Sequence, residues 1–351
     1  MSNTFTFIGK LNLGKETEKF SPIKQIKNGK GWVGTRLNFS LFNNTGYHNL
    51  ECFHGFYENG TSTIYCLGKD KGADGKLPKM QVAWKDRFNQ EIIDKVAGFN
   101  KYVLELGDVK KEFLSGVDFL AELIDVLKNE AYKDAKFQID GSVEYTRWNG
   151  TVYRKFIPKT VKMVTNETPD ESTVRLDFYY TQDAIEEITE GKFVVSGFTR
   201  QYSSTLKAEE PFAEQVVIDT TKATTEKQLK AFQLIKNRFL VNDETFMKLG
   251  VKTVMLNGRE KVDITMDDLT DEEKELIEFG LATFEEIARE YGGTMNGDKV
   301  SEMKVVGFNY GFNKGAQETT LTAEDFEVVD ATEELISDAV EDDFEDDDLP
   351  F

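Results

Sequence analysis

Residues 113–164 constrain the fold more than any other part of the chain. Phe113, Val117, Leu120, Ala121, Ile124 and Leu127 recur at helical spacing and predict an amphipathic helix over 113–127. Two long segments follow, 137–148 and 151–164, separated by Asn149-Gly150. That dipeptide is a strong hairpin signal, because its two residues tolerate the positive φ of a tight turn. A helix that feeds a long hairpin needs a sheet for the hairpin to close against.

The residues ahead of the helix supply that sheet. Phe5 to Gly14 alternate between apolar and polar, as a half-buried strand does. A polar loop carrying Lys15, Lys19, Lys24, Lys27 and Lys30 leads to a second strand over 32–42. Asn43-Asn44-Thr45-Gly46 is a turn into a third strand, 47–56. Glu58-Asn59-Gly60-Thr61 predicts a hairpin returning through 62–67, before a basic loop at 69–79 and short strands at 81–87 and 102–106. Strands, then a helix, then a closing hairpin is the order of a five-stranded OB barrel, here with insertions over 69–112.

The second half repeats the pattern after a polar boundary at 166–172. Strands are expected at 174–181, 193–203 and 213–219, a helix at 225–240, and a hairpin of 251–256 and 261–265 around Asn257-Gly258. Thr270 and Glu273 form a capping-box pattern opening a helix to about 291, and a last strand spans 302–312. Thr332–Val340 reads as a short nascent helix. The expected class is β-rich α+β: an OB-fold core with insertions over 1–165, a second α+β domain over 173–329 for which an OB-like order is one reading, and a disordered acidic tail over 330–351.

Composition narrows the function. No apolar run is long enough for a membrane helix, and the N-terminal residues lack the basic and apolar regions of a signal peptide. Cys52 and Cys66 are the only cysteines, so a reducing cytoplasm is the expected location. The net charge of -20 is unevenly spread. Residues 1–165 hold 25 Lys+Arg against 19 Asp+Glu, whereas residues 330–351 hold 11 acids and no base. With a screening length of about 8 Å at physiological salt, a distant acidic tail need not cancel a basic groove.

Catalytic parts are scarce. There is no G-x-S-x-G and no Walker A lysine loop, so no catalytic residue and no cofactor is expected. Asp267, Asp268, Asp271, Glu272 and Glu273 fit a solvated helix start better than a Mg²⁺ site. His48, Cys52, His54 and Cys66 hold the right atoms for zinc. They lack a C-x-x-C clamp, however, and His48 lies about 13 Å of strand rise from Cys52. The competing reading is two small buried cysteines and two surface histidines.

What the chain offers instead is cations interleaved with aromatics on predicted strands, the combination that non-specific single-strand binders need. Lys24, Lys27 and Lys30 precede a strand carrying Trp32, Arg36, Phe39 and Phe42. Tyr145, Arg147, Trp148, Tyr153, Arg154 and Lys155 form the densest mixture, on the closing hairpin. Half of such rings are expected in the core. Tyr145 and Arg147 share one face of their strand and Trp148 takes the other. Which face points inward is left open at this level.

The sequence ends Asp342-Asp343-Phe344-Glu345-Asp346-Asp347-Asp348-Leu349-Pro350-Phe351. Like charges and Pro350 oppose regular structure, yet the run ends in an aromatic ring beside a carboxylate, two handles for a pocket with a basic rim. This tip resembles that of bacterial single-stranded-DNA-binding proteins, which end in an acidic run, an aliphatic residue, proline and phenylalanine. The resemblance implies sequence-independent binding of single-stranded DNA in replication, recombination and repair. It also implies that Asp346, Asp347, Asp348, Leu349, Pro350 and Phe351 dock partner enzymes such as a polymerase, helicase, primase or nuclease. A folded 166–329 in place of a low-complexity linker departs from that family and is similar to larger, bacteriophage-encoded binders. The alternative is an acidic interaction protein or DNA mimic that binds no nucleic acid and docks through Leu349 and Phe351.

Overall fold

The computed structural model describes residues 3–327 except 204–205, 222, 242–244, 264–265, 267–268, 280, 285–286, 288–293 and 310–314, with backbone alone at 259–263 and 294–300. The acidic tail, its docking tip, the short helix expected at 332–340, Asp267 and Asp268 therefore lie outside the described residues. So does the end of the helix expected to reach 291.

The first half contributes β1 (Thr4–Asn12), β2 (Ile23–Lys27), β3 (Trp32–Asn43), β4 (Gly46–Tyr57), β5 (Thr63–Leu67), β6 (Lys79–Ala83), α1 (Gln90–Ile93), β7 (Tyr102–Leu106), β8 (Val109–Phe113), α2 (Gly116–Lys128), β9 (Lys136–Trp148) and β10 (Thr151–Val164). β1 pairs antiparallel with β3 and with β9, β3 with β4, and β9 with β10. β10 lies against β4, which closes a five-stranded barrel. Following the pairing senses around it makes β4 and β10 parallel. This is the OB order, with the helix between the third and fourth barrel strands.

Local chemistry explains the elements. Ser115 caps α2 by accepting from the backbone N–H of Val117, and Phe119, Leu120, Leu123 and Val126 bury its apolar stripe against the barrel. Each such side chain contributes roughly 1.5–3 kcal/mol. Asn149 at φ 47° and Gly150 at φ 77° make the predicted β9–β10 turn. The hairpin expected around 58–61 does not form. β5 pairs with β6 instead of returning along β4, and these strands build a satellite core of Cys66, Val82, Ile93, Val96 and Leu114. β4 is occupied on one side by β3 and faces β10 on the other, so no edge is left for β5.

The second half contributes β11 (Glu171–Tyr180), β12 (Ile185–Thr189), β13 (Lys192–Ser203), β14 (Ala208–Asp219), α3 (Glu226–Asn237), β15 (Met247–Asp263), α4 (Asp271–Glu278), β16 (Thr294–Phe308) and β17 (Gln317–Glu318). β11 pairs with β13 and β15, β13 with β14, β14 with β16 in parallel, and β15 with β16. With α3 between the third and fourth barrel strands, this is a second OB barrel in the same order. Thr225 and Gln228 cap α3, and Thr270 and Glu273 cap α4, each in a capping box. Asn257-Gly258 is no turn: β15 runs straight through it. The Asn257 N–H donates to Thr45 O (2.9 Å), and a Cβ on Gly46 would come within 1.8 Å of Asn257 O. A contact between the barrels has overridden the turn preference.

The barrels are joined through their first strands, β1 running antiparallel to β11 from Thr4↔Arg175 to Ile8↔Glu171. Buried amides satisfy the seam. The Asn43 side-chain nitrogen shares its two N–H donors among Ile8 O (2.9 Å), Glu171 O (3.0 Å) and Ser172 Oγ (2.8 Å). Asn3 donates to Thr199 and accepts from the Asp177 N–H. Leaving such groups unpaired costs ~1–3 kcal/mol each, so the seam specifies one docking geometry.

Candidate nucleic-acid interface

In a barrel strand one face is core and the other is solvent, so strand parity decides which side chains a ligand meets. Leu37, Phe39 and Leu41 of β3 and Leu50 and Cys52 of β4 are buried in the first barrel. Trp32, Arg36 and Phe42 therefore point outward. The register places Arg36 between Lys24 of β2 and Phe53 of β4. The guanidinium lies 5.1 Å over the Phe53 ring, and Trp32 meets that ring edge-on at 5.6 Å. Trp32 itself rests on a floor of paired glycines. A Cβ at Gly34 or at Gly55 would come within 2.2 Å of the indole, so only glycine lets the ring lie flat on the sheet.

The same face continues to an exposed pair, Phe42 and Tyr47, with ring centroids 4.7 Å apart. Trp32 to Phe42 spans ten residues of one strand, about 33 Å at strand rise. Lys155 of β10 joins this face beside β4, with its Nζ 3.0 Å from Glu51. Tyr153, two residues away, is exposed, as is Trp148 at the turn. Strands two and three of an OB barrel and the hairpin of strands four and five are where this fold holds oligonucleotides.

Several expected contacts lie elsewhere. Phe39 is 4% exposed and belongs to the core, as the parity of its neighbours Arg36, Asn38 and Ser40 requires. Tyr145 is 2% exposed, and its hydroxyl donates to Glu214 (2.9 Å) across the barrel seam. Burial, reinforced by the Glu214 carboxylate, pushes that phenol well above its ordinary pKa. Arg154 grips the same carboxylate with two bonds, 2.8 and 2.6 Å. Burial pulls its pKa down and Glu214 more than offsets the pull, so the group stays charged. Arg147 binds Glu210 (2.8 Å) and Pro211 O (2.9 Å). These three residues bind across the seam between the barrels, Tyr145 fully and the two arginines with most of their side chains buried. Lys24, Lys27 and Lys30 are exposed, Lys27 with Glu58 at 3.7 Å.

In the second barrel the outward face of β13 is largely covered, with Tyr202 left exposed near its end. Its outward residues Phe198 and Arg200 are covered by Phe326, whose ring lies 5.0 Å from Phe198 and 5.8 Å from the Arg200 guanidinium. Tyr179 and Phe246 complete that cluster. Lys192 and Lys304 are paired with Glu302 and Asp219.

The four zinc candidates do not converge. Cys52 lies in the first barrel's core and Cys66 in the satellite core. His48 is buried, its ring tilted against Phe7 with centroids 4.4 Å apart, and its Nε2 lies 2.9 Å from both Thr45 Oγ1 and Ser172 Oγ. Among the described residues no group of three or more His, Cys, Asp or Glu could hold a metal ion. His48 is buried and His54 half-buried, and burial lowers both pKa values to about 4.

Sequence reasoning missed Tyr47, Phe53 and Tyr57. The polar set Arg36, Asn38 and Ser40 was the available signal, because it fixes which parity of β3 and β4 faces water.

No family model matches the chain, and no curated protein does. Among solved structures it is similar to the wild-type single-stranded DNA binding protein from Thermus aquaticus, at 9% identity and a TM-score of 0.29, covering 73% of this chain and 85% of that one. A deletion mutant of the same Thermus aquaticus protein, which also carries a point substitution, matches at 9% identity and a TM-score of 0.30, covering 73% and 86%. At that level of likeness, any reading of function rests on the geometry of the β2–β3–β4 face.

Proposed function

We propose that the chain binds single-stranded DNA without sequence preference across the outward face of β2, β3 and β4, and acts in replication, recombination and repair without catalysing a reaction. One observation carries this reading. Lys24, Arg36, Phe53 and Trp32 lie together and outward on the strands with which an OB barrel holds oligonucleotides. Bases stack on the rings and phosphates meet the cations, each stacked base contributing roughly 1–3 kcal/mol. The acidic run ending Leu349-Pro350-Phe351 recruits a partner enzyme and, at low salt, competes with DNA for the basic face. A bacteriophage protein working in its host's cytoplasm fits the larger body.

The test is titration of a fluorescent dT oligonucleotide with the full-length chain and with one ending at Glu341, at several salt concentrations. Tight, salt-sensitive binding that strengthens on truncation is expected. Equal affinity of the two forms at low salt removes the competition and leaves the tip as a docking arm. No binding by either form at low salt rejects single-strand binding and favours the acidic interaction protein, for which the net charge of -20 already speaks.

A further inference from the structure

Beyond the end of β4, the segment 58–68 and the first turn of α2 enclose a cleft of about 470 Å³. That size falls within the ~300–1,000 Å³ of small-molecule sites. Trp32, Tyr57, Tyr65, Trp84 and Tyr102 are among its lining residues, together with His54 and Ser115. The cleft is continuous with the β3–β4 face, because Trp32 belongs to both. Tyr57 and Tyr65 are exposed and offer ring faces. Trp84 offers its edge: Phe56 is stacked on one side of it at 5.1 Å, and the Arg87 guanidinium lies 4.2 Å over its ring.

His54 sets the chemistry. Its Nε2 is buried and has no hydrogen-bond partner among the described residues. The ring cannot easily swing away. It stands edge-on to Tyr102 at 5.2 Å, and a Cβ on Gly116 would come within 2.4 Å of it, so helix α2 begins directly against the imidazole. Burial keeps that imidazole neutral, with a pKa lowered to about 4, so Nε2 can be either donor or acceptor. Buried polar atoms in folded proteins are nearly always paired, and an unpaired one on a residue that lines this cleft becomes available to a base edge once the side chains around it shift.

We infer that this cleft takes one nucleobase of a bound single strand, unstacked from its neighbours, between the aromatic rings and against His54. The inference rests on the proposed single-strand binding and adds to it a discrete base subsite built by the insertion between the third and fourth barrel strands. A strand lying along β3 and β4 toward Trp32 arrives at the mouth of the cleft. Bases are flat, apolar on their faces and lined with donors and acceptors on their edges. That combination matches a cleft with rings and one neutral imidazole nitrogen. A hydrogen bond at that nitrogen would give the site a modest base preference that the open face lacks.

The experiment is photocrosslinking of the full-length protein to an oligonucleotide made entirely of 5-iododeoxyuridine, with adducts located by mass spectrometry. Uniform substitution makes the result independent of register. Adducts on Tyr65, Trp84 or Tyr102 are expected, beside those on Phe53, Trp148 and Tyr153 of the open face. Adducts confined to the open face overturn the cleft and leave single-strand binding standing. An oligonucleotide neither retained nor crosslinked overturns both. His54→Phe, shown folded by circular dichroism, is expected to bind dT oligonucleotides about 10-fold more weakly. Unchanged affinity in that folded variant would also overturn the cleft.

Discussion

Glu214→Gln tests the assignment of Tyr145 and Arg154 to the barrel seam. Glu214 is buried and accepts from Arg154 Nε (2.8 Å), Arg154 Nη2 (2.6 Å) and the Tyr145 hydroxyl (2.9 Å). Glutamine keeps the shape but removes the charge and turns one acceptor into a donor aimed at a guanidinium. Breaking a buried pair by removing one partner costs ~3–5 kcal/mol, because the other charge stays behind without compensation. Against a total stability of ~5–15 kcal/mol, that is a large share. Urea unfolding at pH 7 is expected to show a lower midpoint with an unchanged slope, the product of slope and shift equalling that loss. The double variant Glu214→Gln, Arg154→Met should recover most of the loss, since no stranded charge remains. Oligonucleotide affinity supplies the second readout: Arg154→Met should leave the salt dependence of binding unaltered. A Glu214→Gln unfolding free energy within ~0.5 kcal/mol of the parent would refute the seam, on the scale of an ordinary surface substitution. So would a fall in salt slope of ~0.7 with Arg154→Met, the expected signature of a lost single-strand phosphate contact.

Trp32→Ala should weaken dT binding by roughly 5- to 150-fold, the loss of one stacking ring, while Arg36→Met should lower the salt slope by ~0.7. Parent-like affinity in the first variant would show that the β3–β4 face is not the stacking surface. Gly46→Ala forces a side chain onto φ +115° and to within 1.8 Å of Asn257 O, so it should cost more than ~1 kcal/mol of stability; an unchanged urea midpoint would contradict the barrel contact. His48 is neutral in the fold, its pKa lowered to about 4 by burial against about 6.5 unfolded. Its contribution is complete above pH ~6.5 and is lost as pH falls from there toward 4, a slope worth ~3 kcal/mol at most. His48→Gln should flatten that share of the pH profile, and identical profiles for the two proteins would count against a neutral buried imidazole.

Periodicity and punctuation carried the elements. Apolar alternation marked β1, turn signals bounded β3, β9 and β10, Asn149-Gly150 marked the β9–β10 turn, and Thr225 and Thr270 stood where helices begin. These are short-range effects: backbone sterics, a cap within three residues, a side chain alternating between water and core. Their order was enough to write down the first barrel and to allow the second. The outward face was also partly legible, since Lys24, Trp32 and Arg36 were named and the polar parity of β3 would have excluded Phe39.

Tertiary structure decided everything that depends on a distant partner. Asn257-Gly258 is a turn by local preference and a strand because Gly46 of the other barrel packs on it. β5 left β4 for β6 because neither edge of β4 was free. Most consequentially, Tyr145, Arg147 and Arg154 look like the strongest binding cluster in one dimension, yet they serve the seam. Their acidic partners Glu210 and Glu214 are more than 50 residues away in sequence. A cation's role is set by the nearest opposite charge in space, and no local pattern encodes which carboxylate that will be.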